Sequence, residues 1–283
     1  MEFQQEILDI EKFVAGPPFR LTPGSKRDDL VDALYISARR SCTPLSYALS
    51  RFKTSEAFDE KFFQAENGNI YTYIREDLRP LAKRIFNKIA GGGTPNAAMG
   101  KGELLLLLFP ENTSKPPAGD IAYGATEIEV KTNNGKVGIG SCRDGHAAVV
   151  AFCNSESIEL PRSRFGRLAN NQPRFSPNRP KDRNKIHKDH LGGVLSAWWT
   201  AVSNEKPLSN PTWEDIRKAF LKKAAEKIIS PHKWLLVMDG NGNFQLFREQ
   251  DSFVKYYDND SAEFEYRAHH GVPFSIYLKL HSA

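Results

Sequence analysis

The chain has 283 residues, 40% hydrophobic, 26% charged and 11% aromatic, a composition that excludes wholesale disorder, a collagen-like repeat and a bare coiled coil. Lys and Arg number 39 against 34 Asp and Glu, a net charge of +5 that is compatible with a polyanionic partner without defining one. Three cysteines, Cys42, Cys142 and Cys153, have neither framework nor CxxC spacing, which argues against a disulfide-stapled secreted domain and a paired-cysteine zinc site.

The first residues, MEFQQEILDIEKFV, lack a basic and then apolar leader pattern, so no signal peptide is expected. Glu6, Ile7, Ile10, Phe13 and Val14 include a helix-like apolar stripe. Asp28 and Asp29 lead into LVDALYISARR, a helix with acids at its positive end. Thr43-Pro44 restarts a helical pattern through LSYALSRF. Ile70, Tyr73, Ile74, Leu78, Leu81, Ile85 and Ile89 then recur near a 3.6-residue period, in a stretch that Pro80 should bend or break. Gly91-Gly92-Gly93 with Pro95 marks a boundary, giving a helical N-terminal region over 1–95 and a mixed α/β core over 96–283.

Leu104 to Phe109 is the longest apolar run, too short to span a bilayer, so the expected setting is cytoplasmic with no membrane partner. After Pro116-Pro117, the segments IAYGATEIEVKT and GKVGIG alternate like strands. AAVVAF fits either a strand or a buried helix. HLGGVLSAWWTAV and the amphipathic WEDIRKAFLKKAAEKII read as helices, WLLVMD-GNGN-FQLFR as a β-hairpin and FSIYLKL as a final strand.

Residues 160–190 are the most biased stretch. Arg162, Arg164, Arg167, Arg174, Arg179, Lys181, Arg183, Lys185 and Lys188 face only Asp182 and Asp189, an excess of seven that is larger than the whole chain's. With Pro161, Pro173, Pro177 and Pro180 interspersed, this is a basic loop or arm. Taken alone it is a solvated charged loop or a surface for an acidic partner; were that partner DNA, the first eight of these residues would serve as phosphate contacts.

The segment GDIAYGATEIEVK, residues 119–131, carries the chemistry. With Gly124-Ala125 as a two-residue type II′ loop, facing residues pair Tyr123 with Thr126, Ala122 with Glu127, Ile121 with Ile128 and Asp120 with Glu129. Ile121, Ile128 and Val130 then share one face, and Asp120, Glu127, Glu129 and Lys131 the other. Like charges directly opposite destabilise a hairpin. A hard divalent cation turns that cost into a binding site, and all-oxygen ligands suit Mg²⁺ better than zinc. The plain alternative is an ordinary half-exposed strand preceded by a turn aspartate.

Asp120, eight residues, then Glu129-Val130-Lys131 resembles the PD-(D/E)XK nuclease superfamily, with the restriction-endonuclease-like fold. The phrase EVKTNNGKVG and the glutamate of GKGELLLLLF also look like such cores; Gly119 stands where the motif's name has proline. The resemblance covers roughly residues 100–141. It implies a central mixed sheet flanked by helices and a Mg²⁺-dependent deoxyribonuclease, with Mn²⁺ able to substitute and internal cutting favoured over end digestion. Carried onto this sequence, Asp120, Glu129 and the Val130 carbonyl hold the metal, and Glu103 holds it directly or through water. Lys131 positions the attacking water. Glu111 is a weaker substitute for Glu103, whose simpler role is to cap a buried segment. DNA is the implied partner, a homodimer is allowed, and a prokaryotic or phage-infected cell or a virion is the implied setting. The rival expectation is an inactive DNA-binding or virion protein on the same scaffold.

Overall fold

The computed structural model describes residues 2–17, 19, 25–88, 100–116, 120–132, 135–141, 146–158, 188–202, 213–258, 263–269 and 272–280. It divides into two compact units, one of Met1–Gly135, Ile228–Glu249 and His281–Ala283, the other of Lys136–Lys227 and Gln250–Leu280. The expected boundary near residue 95 falls inside the first unit.

The first unit opens with α1 (Glu2–Ala15), α2 (Ser25–Arg40) and α3 (Leu45–Arg51). The expected stripe is present: Ile10 and Val14 are fully buried, and Ile7 and Phe13 pack against the core. The next periodic stretch is not one helix. It divides into strand β1 (Asn67–Asn69), the single turn α4 (Ile70–Tyr73), a 3₁₀ turn (Glu76–Leu78) and α5 (Arg79–Lys88). Pro80 lies in the first turn of α5, where its missing N–H costs no intrahelical bond, and its ring prevents the helix from continuing upstream.

Helix α6 (Lys101–Leu108) follows, then the strands β2 (Thr113–Ser114), β3 (Ile121–Tyr123) and β4 (Thr126–Thr132). Leu104 to Phe109 are all fully buried, the pattern of a helix surrounded by protein on every side. The same core contains Ile85 and Phe86 of α5, Leu104 to Leu108 of α6, and Ile121, Ile128 and Val130 of the sheet. This shared core is the physical reason that the N-terminal helices do not form a separate unit.

The chain then enters the second unit through β5 (Lys136–Ser141), α7 (His146–Ser155), α8 (Lys188–Val202) and α9 (Trp213–Ile228). AAVVAF is thus helical, with Val149 and Cys153 buried. Returning to the first unit, β6 (Lys233–Met238) and β7 (Asn243–Phe247) form the expected hairpin, pairing Leu235 with Phe247 and Met238 with Phe244. The second unit is completed by α10 (Gln250–Tyr257), β8 (Glu263–His269) and β9 (Val272–Lys279).

The main sheet has the order β1-β7-β6-β4-β3-β2 and is antiparallel except for the β4–β6 pair. Leu236 and Met238 of β6 join the helix-covered core, while Leu235 and Val237 on the opposite face are also buried, as expected of a strand in a parallel pair. The molecule is therefore mixed α/β, with a six-stranded mixed sheet and helices packed on it. β5 is a strand, as GKVGIG suggests, but it does not extend the β3–β4 meander. It pairs with β9 in a separate three-stranded sheet of order β5-β9-β8. No helix among the described residues is long and apolar enough to cross a membrane.

Candidate active site

The β3–β4 hairpin has the register read from the sequence: Ile121 opposite Ile128, Ala122 opposite Glu127 and Tyr123 opposite Thr126. Gly124 adopts φ +58 while Ala125 stays out of the left-handed region, the pattern of a type II′ loop. Ile121, Ile128 and Val130 are buried, leaving Glu127, Glu129 and Lys131 on the opposite face of β4.

Asp120 precedes the first residue of β3 and ends the ladder with its side chain. Its Oδ2 accepts a hydrogen bond from the Val130 backbone N–H at 2.8 Å. The N–H and C=O of an extended residue point toward the same edge, so the Val130 carbonyl faces the Asp120 side as well. The Lys131 Nζ donates to Glu129 Oε1 and lies 3.9 Å from Asp120 Oδ2. The three side chains expected to form the site therefore meet. Asp120 and Glu129 are each 21% exposed and Lys131 is 28% exposed, accessible to a ligand yet partly withdrawn from water.

Glu103 joins them from α6. It is the third residue of that helix, the position from which a glutamate can complete a capping box, and a Cβ on Gly100 at the N-cap would stand 3.3 Å from its Oε1. The same side chain is only 12% exposed, and its Oε2 lies 3.2 Å from the Nζ of Lys115. Burial raises the Glu103 pKa above the ordinary carboxylate value, and repulsion from Asp120 adds to it, while Lys115 and the Gly100 N–H oppose the rise. Glu103 and Asp120 are neighbours through Lys115, which contacts both.

The close approach of α6 to β4 depends on Gly102. A Cβ there would stand 2.9 Å from Val130 Cγ1 and 3.5 Å from Met238 Cε, nearer to the valine than side chains ordinarily come. The small residue lets the first turn of α6 settle on β4 and brings Glu103 toward the acidic pair.

Two lysines that the sequence pattern did not single out complete the cluster. Lys115 also donates to the backbone carbonyl of Asp120 at 3.1 Å. Lys233 lies opposite Glu127 in the parallel β4–β6 pair, with its Nζ 3.3 Å from Glu127 Oε1 and 3.7 Å from Glu129 Oε2. Glu127 is thereby part of the charge network. Pairing β6 beside β4 would have predicted Lys233. Lys115, in an irregular segment before two prolines, offers no such signal.

Glu111 is placed elsewhere. It lines a cleft of about 590 Å³ with Asp59, Glu60, Arg75 and Arg79, and none of the four expected site residues reaches that cleft. It is not a substitute for Glu103. Cys153 is buried in α7, which pushes its thiol pKa up and away from nucleophilic use. Arg162, Arg164, Arg167, Arg174, Arg179, Lys181, Arg183 and Lys185 lie outside the described residues.

As the side chains stand, no group of three or more His, Cys, Asp or Glu among the described residues forms a ready metal shell. The carboxylates are turned to ammonium groups instead. A hard cation would nonetheless meet only oxygen donors here, from Glu103, Asp120, Glu129 and the Val130 carbonyl on neighbouring elements. Comparison with protein-family models, curated proteins and solved structures returned no match to the chain.

Proposed function

We propose that this protein is a Mg²⁺-dependent DNA endonuclease on a restriction-endonuclease-like core. The observation that carries the reading is the placement of Asp120 and Glu129 around one ammonium, Lys131, at the end of a hairpin in the expected register. An antiparallel meander β2–β3–β4 followed by a return to β6, parallel to β4, supports it, because this order holds the three residues at one end of a sheet.

In this reading Asp120, Glu129 and the Val130 carbonyl hold the metal, with Glu103 ligating directly or through water. Bound Mg²⁺ stabilises charge on the phosphoryl oxygens and lowers the pKa of its water. Lys131 positions the attacking water and places a positive charge beside the scissile phosphate. Asp120 also acts structurally, because its bond to Val130 fixes the spacing between the two metal-holding segments. The basic segment 160–190 supplies phosphate contacts, DNA is the partner, and a homodimer gives double-strand cutting. The setting is a prokaryotic or phage-infected cell.

The test is incubation of covalently closed circular DNA and linear DNA with and without Mg²⁺. The parent should nick or linearise the circle only with Mg²⁺. Asp120→Ala and Lys131→Ala should abolish cutting while the circular dichroism spectrum stays parental. Parental cutting by both variants would refute the assignment.

A second reading is favoured by one observation. Lys115, Lys131 and Lys233 already neutralise the carboxylates, an arrangement that an inactive DNA-binding or virion protein could retain. That protein binds DNA, has no specific Mg²⁺ or Mn²⁺ site by calorimetry, and cuts nothing.

A further inference from the structure

Building on the reading of Glu103, Asp120 and Glu129 as a divalent-cation site, we infer that Lys115 is its internal counter-cation: it holds Glu103 in the metal-free protein, competes with the divalent ion for that carboxylate and so sets the affinity of the site. Lys115 Nζ lies 3.2 Å from Glu103 Oε2 and 3.1 Å from the Asp120 carbonyl, so one ammonium ties the first turn of α6 to the residue that opens β3. With Glu103 12% exposed and Lys115 29% exposed, the pair is shielded enough for its charge to matter.

Lys131 and Lys233 both address Glu129, so Lys115 is the described lysine paired with Glu103. A divalent ion on Glu103 brings like charge against the Lys115 ammonium, which must withdraw. Without that ammonium, Glu103 and Asp120 repel each other. Removing Lys115 therefore has two effects of opposite sign: the metal-free protein becomes less stable, and the divalent ion binds more tightly. An ordinary surface ion pair gives neither in combination.

The test uses the full chain, titrated with Mn²⁺ by calorimetry and melted in EDTA and in Mn²⁺. Lys115→Met should bind Mn²⁺ about tenfold more tightly, the factor for one unit charge acting on a divalent ion roughly 6 Å away in a water-like dielectric. It should melt lower than the parent in EDTA and regain the difference as Mn²⁺ is added. Lys115→Arg should retain parental affinity. Lys115→Gln, which loses the charge but can still donate to the Asp120 carbonyl, carries the same expectation as Lys115→Met if the latter does not fold without metal. Unchanged or weaker Mn²⁺ binding in the folded uncharged variants, with a parent that binds, overturns this inference alone. No Mn²⁺ binding by the parent or the variants overturns the site reading and this inference with it.

Discussion

The Val130 N–H and the Asp120 carboxylate, 2.8 Å apart, close the β3–β4 hairpin with a side chain where a backbone carbonyl would otherwise serve. The bond joins a structural role to a chemical one, and two substitutions separate them. Asp120→Asn keeps an acceptor for Val130 and removes the charge. It should unfold at nearly the parental urea concentration yet lose divalent-ion binding. Asp120→Ala should lose the binding and also about 1–2 kcal/mol of stability, the usual cost of leaving a buried N–H unpaired. Equal stability of the two variants in urea unfolding would show that the hydrogen bond contributes nothing.

Gly102 governs how closely α6 lies on β4. Gly102→Ala gains up to about 1 kcal/mol of helix propensity. Against this, the added methyl meets Val130 Cγ1 at 2.9 Å, and overpacking of a tight core costs about 1–3 kcal/mol. The net effect should be destabilising in urea unfolding, and the displaced helix should carry Glu103 away from Asp120, weakening Mn²⁺ binding. Val130→Ala in the same chain should restore part of the binding by making room.

Lys53 offers a pH-dependent test outside the site. It has φ +62, and its Nζ donates to the carbonyls of Pro110 and Thr113 and, at 2.9 Å, to Thr113 Oγ1. Burial lowers its pKa from 10.5 to about 8, opposed by the charges of Glu60 and Glu111. Between these values the unfolded chain retains a proton that the folded protein has lost, so stability rises with pH across that window and falls as pH drops through about 8. Relative to Lys53→Met, the melting temperature of the parent should therefore climb from pH 8 toward pH 10.5. A difference flat across this range would show that the ammonium is not desolvated.

The basic segment 160–190 makes a prediction from charge alone. Every cationic side chain withdrawn from a phosphate should reduce the slope of log K against log salt by about 0.9 on duplex DNA. Replacing Arg174, Arg179 and Arg183 with Gln should weaken DNA binding at low salt and flatten the slope by up to about three such steps. Parental affinity and slope in a fluorescence-anisotropy titration would remove this segment from the DNA interface.

Local chemistry made part of the fold legible. Gly124 specifies a tight loop, and the alternation around it then fixes which side of β4 carries Glu129 and Lys131. GNGN between WLLVM and FQLF sets β6 and β7 in the same way. The alternation of Glu263, Phe264, Glu265 and Tyr266 was an available strand signal for β8. β1 carries none: Asn67-Gly68-Asn69 reads as a turn and becomes a strand only because it pairs with β7, far along the chain. The boundary expected near residue 95 followed from the glycine run, whereas unit membership follows from Ile85 and Phe86 sharing a core with Leu104 to Leu108. Within the site, spacing predicted that Asp120, Glu129 and Lys131 would lie together; the Asp120–Glu129 pair itself is not part of the β3–β4 ladder, and Asp120 accepts from the Val130 N–H instead. The Lys115 contacts depend on tertiary placement that no periodicity encodes.

The most direct measurement is the anomalous diffraction of crystals soaked in Mn²⁺. The nuclease reading predicts a peak about 2.0–2.4 Å from carboxylate oxygens of both Asp120 and Glu129, with the Val130 carbonyl as a further ligand. A peak that touches neither carboxylate, or no peak in crystals soaked in Mn²⁺, would contradict it.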